Sequence, residues 1–234
     1  TMERLFQEIA QVPGEYRLES RFTLTQGEVE GKGQGYKGFL VPGIAAMAIM
    51  QGGLFGVVFT LVAYKNRGIL RRLKAAPISP AHVLSGQVVT RLVVSMMQTY
   101  VLLLVGIIVL RVTIGEDIGS WLSLTVFALL GGALFIAMGL AISGWAKSED
   151  TAAPIANVVS LPMMFLSGVF FPTSAMPDWV QSISRFIPLT YLADGLRAVA
   201  LDGASLASQW PEMIGLAGWT AATFLVATRV FKWE

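Results

Sequence analysis

FLSGVFFPTSAMPDWVQSISRFIPLTYLADGLRAV, residues 165–199, orders the end of an apolar helix, a turn with two prolines, two short amphipathic pieces and an Asp194/Arg197 pair. A membrane-length apolar run leads into it. Pro172 and Pro177 break that run, because proline has no amide hydrogen to give and crowds the preceding turn. Residues 176–185 and 189–199 then read as helices too brief to cross a bilayer, which takes about 20 residues. The spacing therefore predicts an external re-entrant helical hairpin over residues 172–202 that lies in or dips into the outer leaflet. Trp179 and Tyr191 are expected as interfacial aromatics, and Pro188 belongs to the same hairpin. Asp194 and Arg197 stand three residues apart, so they can pair on one helical face and lower the cost of sitting near lipid. The pair reads first as a brace for the hairpin, with substrate binding as the alternative.

Outward from this segment, the composition is that of a membrane protein. Hydrophobic residues make up 54%, charged residues 14%, and the mean hydropathy is +0.64. A soluble domain carries about 25% charged residues, so a water-facing surface cannot be built from this set. The chain has no cysteine, which excludes disulfides, thiolate nucleophiles and cysteine metal sites. Its single histidine, His82, cannot form a histidine metal cluster.

Five stretches are long and apolar enough to cross a bilayer: residues 38–63, 84–112, 121–145, 152–171 and 213–231. They lack the alternation of barrel strands, and in lipid only helices or closed barrels satisfy the backbone. The fold class expected is an all-α integral membrane helical bundle, with residues 38–234 as its transmembrane domain. Lys65, Arg67, Arg71, Arg72 and Lys74 follow the first span, Lys147 the third, and Arg229 and Lys232 the last. By the positive-inside rule these ends are cytoplasmic, which puts residues 1–37 outside. Residues 1–37 contain no signal peptide and no apolar run to carry them across. A further span preceding Thr1 is therefore expected, giving six in the full subunit; unaided translocation of a short tail is the alternative. Gly31, Gly33 and Gly35 form a flexible linker, because the phosphate-loop spacing is missing and a membrane span follows.

The first cytoplasmic loop reads YKNRGILRRLKAAPISPAHVLS over residues 64–85. Asn66 is expected to cap a short helix at about residues 66–76, with Pro77 and Pro80 ending it. Ile69, Leu70 and Leu73 fall at helical spacing, Gly68 precedes them, and Arg67, Arg71, Arg72 and Lys74 supply a basic face. Such a helix either lies on anionic headgroups or docks a cytosolic partner, and one segment can do both.

The order FLVPGIAAMAIMQGG, RGILRRLKAAPIS and SGVFFP…MPDWV…IPLTYLADGLR resembles the permease subunit of ABC exporters of the type 2 class, the branch of drug-resistance and polysaccharide exporters. The likeness runs from Phe39 to the C-terminus. It implies six spans, a coupling helix that fits a groove of a cytosolic ATPase subunit, and a re-entrant hairpin that closes the external end of a translocation path. The family usually has a glutamate–arginine pair where this chain has Tyr64-Lys65-Asn66-Arg67. The partners implied are cytosolic ABC ATPase subunits, a second permease subunit, either identical or a paralogue, and membrane lipid, with no nucleic acid. ATP and Mg would be held by the ATPase, with no cofactor on this chain, and the location implied is a cell membrane, that of a bacterial inner membrane.

Polar residues inside the spans complete the candidates. Gln87, Arg91, Ser95 and Gln98 recur at three- and four-residue intervals and form one stripe on their helix. Helix packing by hydrogen bonds is the first reading of that stripe, and lining a path is the second. Gln51 is an isolated case, as is Asn157 between Pro154 and Pro162. Gly52 with Gly56, and Gly131, Gly132 and Gly139, read as small surfaces for close helix approach. The function expected is export of a hydrophobic or amphipathic compound (a drug, lipid or glycolipid) by alternating access. The alternatives are an ATP-independent channel or scaffold, and, further off, an intramembrane enzyme. That last reading lacks an Asp, Glu or His pair within the spans.

Overall fold

The structure, a computed structural model, describes residues 35–69, 80–115, 117–146 and 148–230. All regular structure among them is helical. In chain order the helices are α1 (Gly35–Asn66), α2 (Pro80–Leu110), α3 (Ile118–Trp145), α4 (Glu149–Leu166), α5 (Asp178–Ser184), α6 (Pro188–Asp202) and α7 (Trp210–Val230). Short 3-10 turns at Thr173–Ala175 and Leu206–Gln209 precede α5 and α7. The expected N-terminal segment lies outside the described residues up to residue 34, and Gly35 to Lys37 already belong to α1.

Four of these helical stretches are long and apolar enough to cross a membrane: Gly35–Asn66, Ser85–Leu110, Ile118–Trp145 and Leu206–Val230. The further span expected at residues 152–171 falls on α4, which is not among these four. α4 begins with Glu149 and Asp150, holds Pro154 and Pro162, and stops at Leu166 because Gly168 turns the chain at φ +75°. Its polarity keeps it out of that set. Even so, it starts four residues after α3 ends and finishes beside the start of α1, so it connects the two ends of the bundle. At about 1.5 Å per residue its 18 residues reach roughly 27 Å. The second span also ends earlier than expected, at Leu110, where Arg111 takes a left-handed φ of 55° and the Val112 amide reaches back to the Gly106 carbonyl at 3.2 Å.

α1 and α3 form the centre. In their most apolar stretches 56% and 72% of residues are buried, against 22% for α2 and 11% for the last span. Glycine lets the central pair approach: a Cβ on Gly139 would sit 2.7 Å from the Leu54 carbonyl oxygen, and one on Gly53 would sit 3.0 Å from the Phe135 Cβ. Ile49, Leu54, Phe127, Leu134 and Phe135 are fully enclosed between them. α2 and α7 pack outside, and leave Val93, Met97, Val101, Ile108, Phe224 and Leu225 exposed on faces that suit lipid or another subunit.

Capping follows local chemistry. Asp117 accepts at Oδ1 from the Ser120 amide at 3.1 Å and from the Ser120 hydroxyl, which closes the start of α3. Those donors, the hydroxyl first, hold its carboxyl below the usual range. Ser148 and Thr151 make a reciprocal capping box at the start of α4. Lys65 Nζ donates to the Ser143 carbonyl at 2.8 Å, tying the last turn of α1 to the last turn of α3.

Candidate functional site

α6 enters the bundle and is flanked by α1, α3 and α7. Leu192 presses on Gly131 near the middle of α3, where an added Cβ would meet its side chain at 2.5 Å. One turn further along, an added Cβ on Gly195 would meet the Phe127 ring at 2.3 Å. Leu189, Leu192, Ala193, Leu196 and Val199 are buried as a result. The helix then rises to Gly203, whose φ of 64° ends it beside the start of α3. There Asp117, Gly119 and Ser120 share a cavity of about 260 Å³ with Gly203 to Leu206. α6 therefore reaches roughly halfway along α3 and turns back, which is a re-entrant course and not a crossing.

Arg197 is the clasp of this hairpin. Its Nη1 donates to Asp194 Oδ1 at 2.9 Å, and its Nη2 donates to the Gly168 carbonyl at 3.1 Å. Its guanidinium carbon lies 3.8 Å from the centre of the Phe39 ring on α1. One side chain thus joins α6, the turn after α4, and α1. The turn is held a second time by the Tyr36 hydroxyl, which donates to the Phe170 carbonyl at 3.0 Å, and Tyr36 stacks on Phe39. Gly43 makes the approach possible, since a Cβ there would stand 2.7 Å from the Val169 carbonyl oxygen. Arg197 is 15% exposed while Asp194 is 46% exposed. The acid faces outward, and Glu212 at the start of α7 lies close enough to act on it electrostatically.

The other expected hairpin residues fall as follows. Pro172 and Pro177 precede the 3-10 turn and α5, and Pro188 is buried at the first position of α6. Trp179 is exposed. Tyr191 is half-buried: its ring packs on Gly215 of α7 and its hydroxyl donates to the Arg185 carbonyl at 2.6 Å, which ties the two pieces of the hairpin together. The break after α4 is corrected, because it occurs at Gly168, ahead of both prolines.

At the opposite end, Asn66 is the last residue of α1 and not the cap of a new helix. Gly68, at φ 67°, turns the chain, Arg67 is exposed and Ile69 is half-buried. Leu70, Arg71, Arg72, Leu73 and Lys74 lie outside the described residues. The polar stripe of α2 faces the small-residue stripe of α1. Ser95 is buried, Gln98 Oε1 would stand 3.2 Å from a Cβ on Gly52, and Arg91 Nη2 donates to the Thr60 hydroxyl at 2.6 Å. Gln51 and Asn157 are exposed on α1 and α4.

Between α3, α4 and α7 runs an apolar groove of about 260 Å³, lined by Met138, Ala141, Ile142, Val159, Met163, Trp219 and Thr223, with Trp145 at its rim. The Thr223 hydroxyl is spent on the Trp219 carbonyl at 2.8 Å, so the groove offers almost no polar group. It can hold a hydrocarbon and cannot orient a polar reactant.

Residues 5–229 match the family described as ABC-2 family transporter protein. The chain belongs to the ABC-2 transporter family. Within it, the chain is similar to the Escherichia coli K12 protein named "Probable multidrug ABC transporter permease YbhR", at 27% identity over 84% of this chain and 53% of the relative. It is also similar to the E. coli "Inner membrane transport permease YadH", at 27% identity over 70% of this chain and 63% of the relative. A third relative, "ABC transporter G family member 20" of Dictyostelium discoideum, is 25% identical over 81% of this chain and 26% of its own length. The chain thus covers 53% to 63% of the length of the two bacterial relatives. An ABC-2 membrane domain is a multi-pass transporter component, which agrees with the four apolar crossings.

Sequence reading named Asp194 and Arg197 and missed Phe39, Tyr36, Gly43 and Gly168, the partners that complete the clasp. The only signal available was a Pro42-Gly43 step inside an apolar run, which marks a close approach without saying to what.

Proposed function

We propose that this ABC-2 chain is the membrane-spanning subunit of an ATP-driven exporter that moves a hydrophobic or amphipathic compound out of the cytoplasm. A separate cytosolic ATPase supplies the energy, docking at residues 67–74, and a second permease subunit completes the path. ATP and Mg reside on the ATPase. Closure of the ATPase dimer pushes the coupling segment, and the bundle switches between inward- and outward-facing arrangements. The Arg197 clasp keeps the external end shut in the resting state, and the chain works in a bacterial inner membrane. Gln51, Asn157 and the stripe of Arg91, Ser95 and Gln98 are the polar candidates along the path.

The observation that carries this reading is the family match over residues 5–229 together with a hairpin that enters the bundle from one end only. The apolar groove supports the substrate class, because its lining selects for hydrocarbon and against polar solutes. The test is co-purification and ATP turnover of the complex with its co-expressed ATPase, native against Arg71→Glu/Arg72→Glu. Loss of the ATPase, or hydrolysis uncoupled from transport, is the expected result. Unchanged binding and turnover would leave the loop as a membrane anchor and favour an ATP-independent channel or scaffold.

A further inference from the structure

Arg91 is a cation with an incomplete set of partners. It lies six residues past Ser85, where the second apolar crossing begins, or about 9 Å along the helix. Its Nη2 is used by the Thr60 hydroxyl, whose own proton goes to the Gly56 carbonyl at 2.7 Å. Its Nε is buried with no partner. The guanidinium presses on Gly56 so closely that a Cβ there would stand 2.7 Å from Nη1 and 2.9 Å from the central carbon. Among the described residues the one salt bridge is Arg197 with Asp194, and no carboxylate of theirs pairs with Arg91. The stretch RGILRRLKAAPIS at residues 67–79, which joins α1 to α2, contains no Asp or Glu and four basic residues, Arg67, Arg71, Arg72 and Lys74, with Lys65 just before it.

A guanidinium inside an apolar crossing costs several kcal/mol unless a countercharge or hydrogen-bond acceptors compensate it. Here, among the described residues, one hydroxyl does so, and it occupies Nη2 alone. Val94, Val101 and Val105 continue from Arg91 at helical spacing and are exposed, which forms an apolar track beside the cation. We infer that Arg91, seated on Gly56 and Thr60, binds the phosphate of an amphiphile whose chains lie along this track. Phosphate fits because arginine donates to two of its oxygens at once, whereas a lone carboxylate offers less charge and a neutral headgroup none. The phosphate has two sources, a resident phospholipid of the adjacent leaflet or a phosphate-bearing cargo. The site does not depend on how the ATPase docks.

The test uses the full chain, purified with its co-expressed ATPase in neutral detergent. Binding of a fluorescent phosphatidic acid is compared with that of the matching diacylglycerol. The native protein is expected to prefer the phosphatidic acid, and Arg91→Gln to reduce that preference at least tenfold, about 1.4 kcal/mol. Arg91→Lys should retain part of it, and Gly56→Ala, which pushes the guanidinium off its seat, should weaken it with the charge intact. Should Arg91→Gln not fold, Gly56→Ala and Arg91→Lys carry the comparison. Release of the bound lipid on ATP turnover identifies cargo, and retention identifies a resident lipid; both uphold the phosphate site. Equal binding of the two lipids by the native protein, or phosphatidic acid binding unchanged in every variant, overturns it.

Discussion

Removing the guanidinium of Arg197 should open the turn between α4 and α5. In Arg197→Met the hydrocarbon is kept and the charged fork is lost. The contact with Phe39 at 3.8 Å is worth about 1–2 kcal/mol at a largely desolvated site. The charged hydrogen bond to the Gly168 carbonyl contributes about 1.5–3 kcal/mol. The pair with Asp194 adds about 0.5–1 kcal/mol, discounted because the acid is 46% exposed and screened. Against these stands the buried unpartnered Nε, whose removal returns about 1 kcal/mol. The net loss is about 3 kcal/mol, or roughly a hundredfold in the opening equilibrium of the turn. The chain has no cysteine, so one introduced thiol reports cleanly. Val169 is fully buried in the turn, and Val169→Cys can meet a maleimide only when the turn opens. Where reclosing outpaces labelling, the rate follows the opening equilibrium. Labelling of Val169→Cys should therefore rise roughly a hundredfold with Arg197→Met. Ser174→Cys, already exposed, should label at an unchanged rate. Equal labelling of Val169→Cys with and without the arginine would refute the clasp and leave Tyr36 and simple packing as what holds the turn.

Three further outcomes follow from the same geometry. Gly195→Val should drive a side chain into the Phe127 ring, costing about 1–3 kcal/mol and lowering the melting temperature in detergent, with partial rescue by Phe127→Leu. Asp117→Ala should lose stability at pH 7, because the native carboxyl titrates below its ordinary value and favours the fold only when ionised. That difference should shrink as the pH falls below about 4, where the unfolded carboxyl takes up its proton first, and vanish once the native carboxyl is protonated as well, and a pH series of melting temperatures measures it. Lys65→Met should destabilise by about 1 kcal/mol, since the Ser143 carbonyl at the end of α3 loses its donor, and chemical denaturation reads the change.

Much of the bundle was legible because bilayer physics leaves few choices. Residues 38–63 and 121–145 lie inside α1 and α3, whose apolar length admits only a helix. The boundaries failed where a single backbone conformation decided them. Gly168 and Arg111 take left-handed φ values, and neither residue type at those positions announces a stop within an apolar run. Asn66 was read as a cap because asparagine favours that role, but the packing of α1 against α3 carries the helix through it. Tyr191 stands where an interfacial aromatic is expected, and only the glycine opposite it on α7 shows that its ring is packed as well.

By itself the sequence determined what depends on composition and short-range spacing: an all-helical membrane bundle, a hairpin after the fourth apolar run, and the i, i+3 pairing of Asp194 with Arg197. Tertiary structure alone decided which helices are central, how deep α6 descends, and which distant groups share a charge. Arg197 is 158 positions from Phe39 and 29 from Gly168, and Arg91 is 31 from Thr60. No spacing rule reaches across such separations. They meet because Gly43 lets the Val169 backbone approach and Gly56 leaves room for the Arg91 guanidinium, and a glycine in a sequence states only that something can come close, not what does.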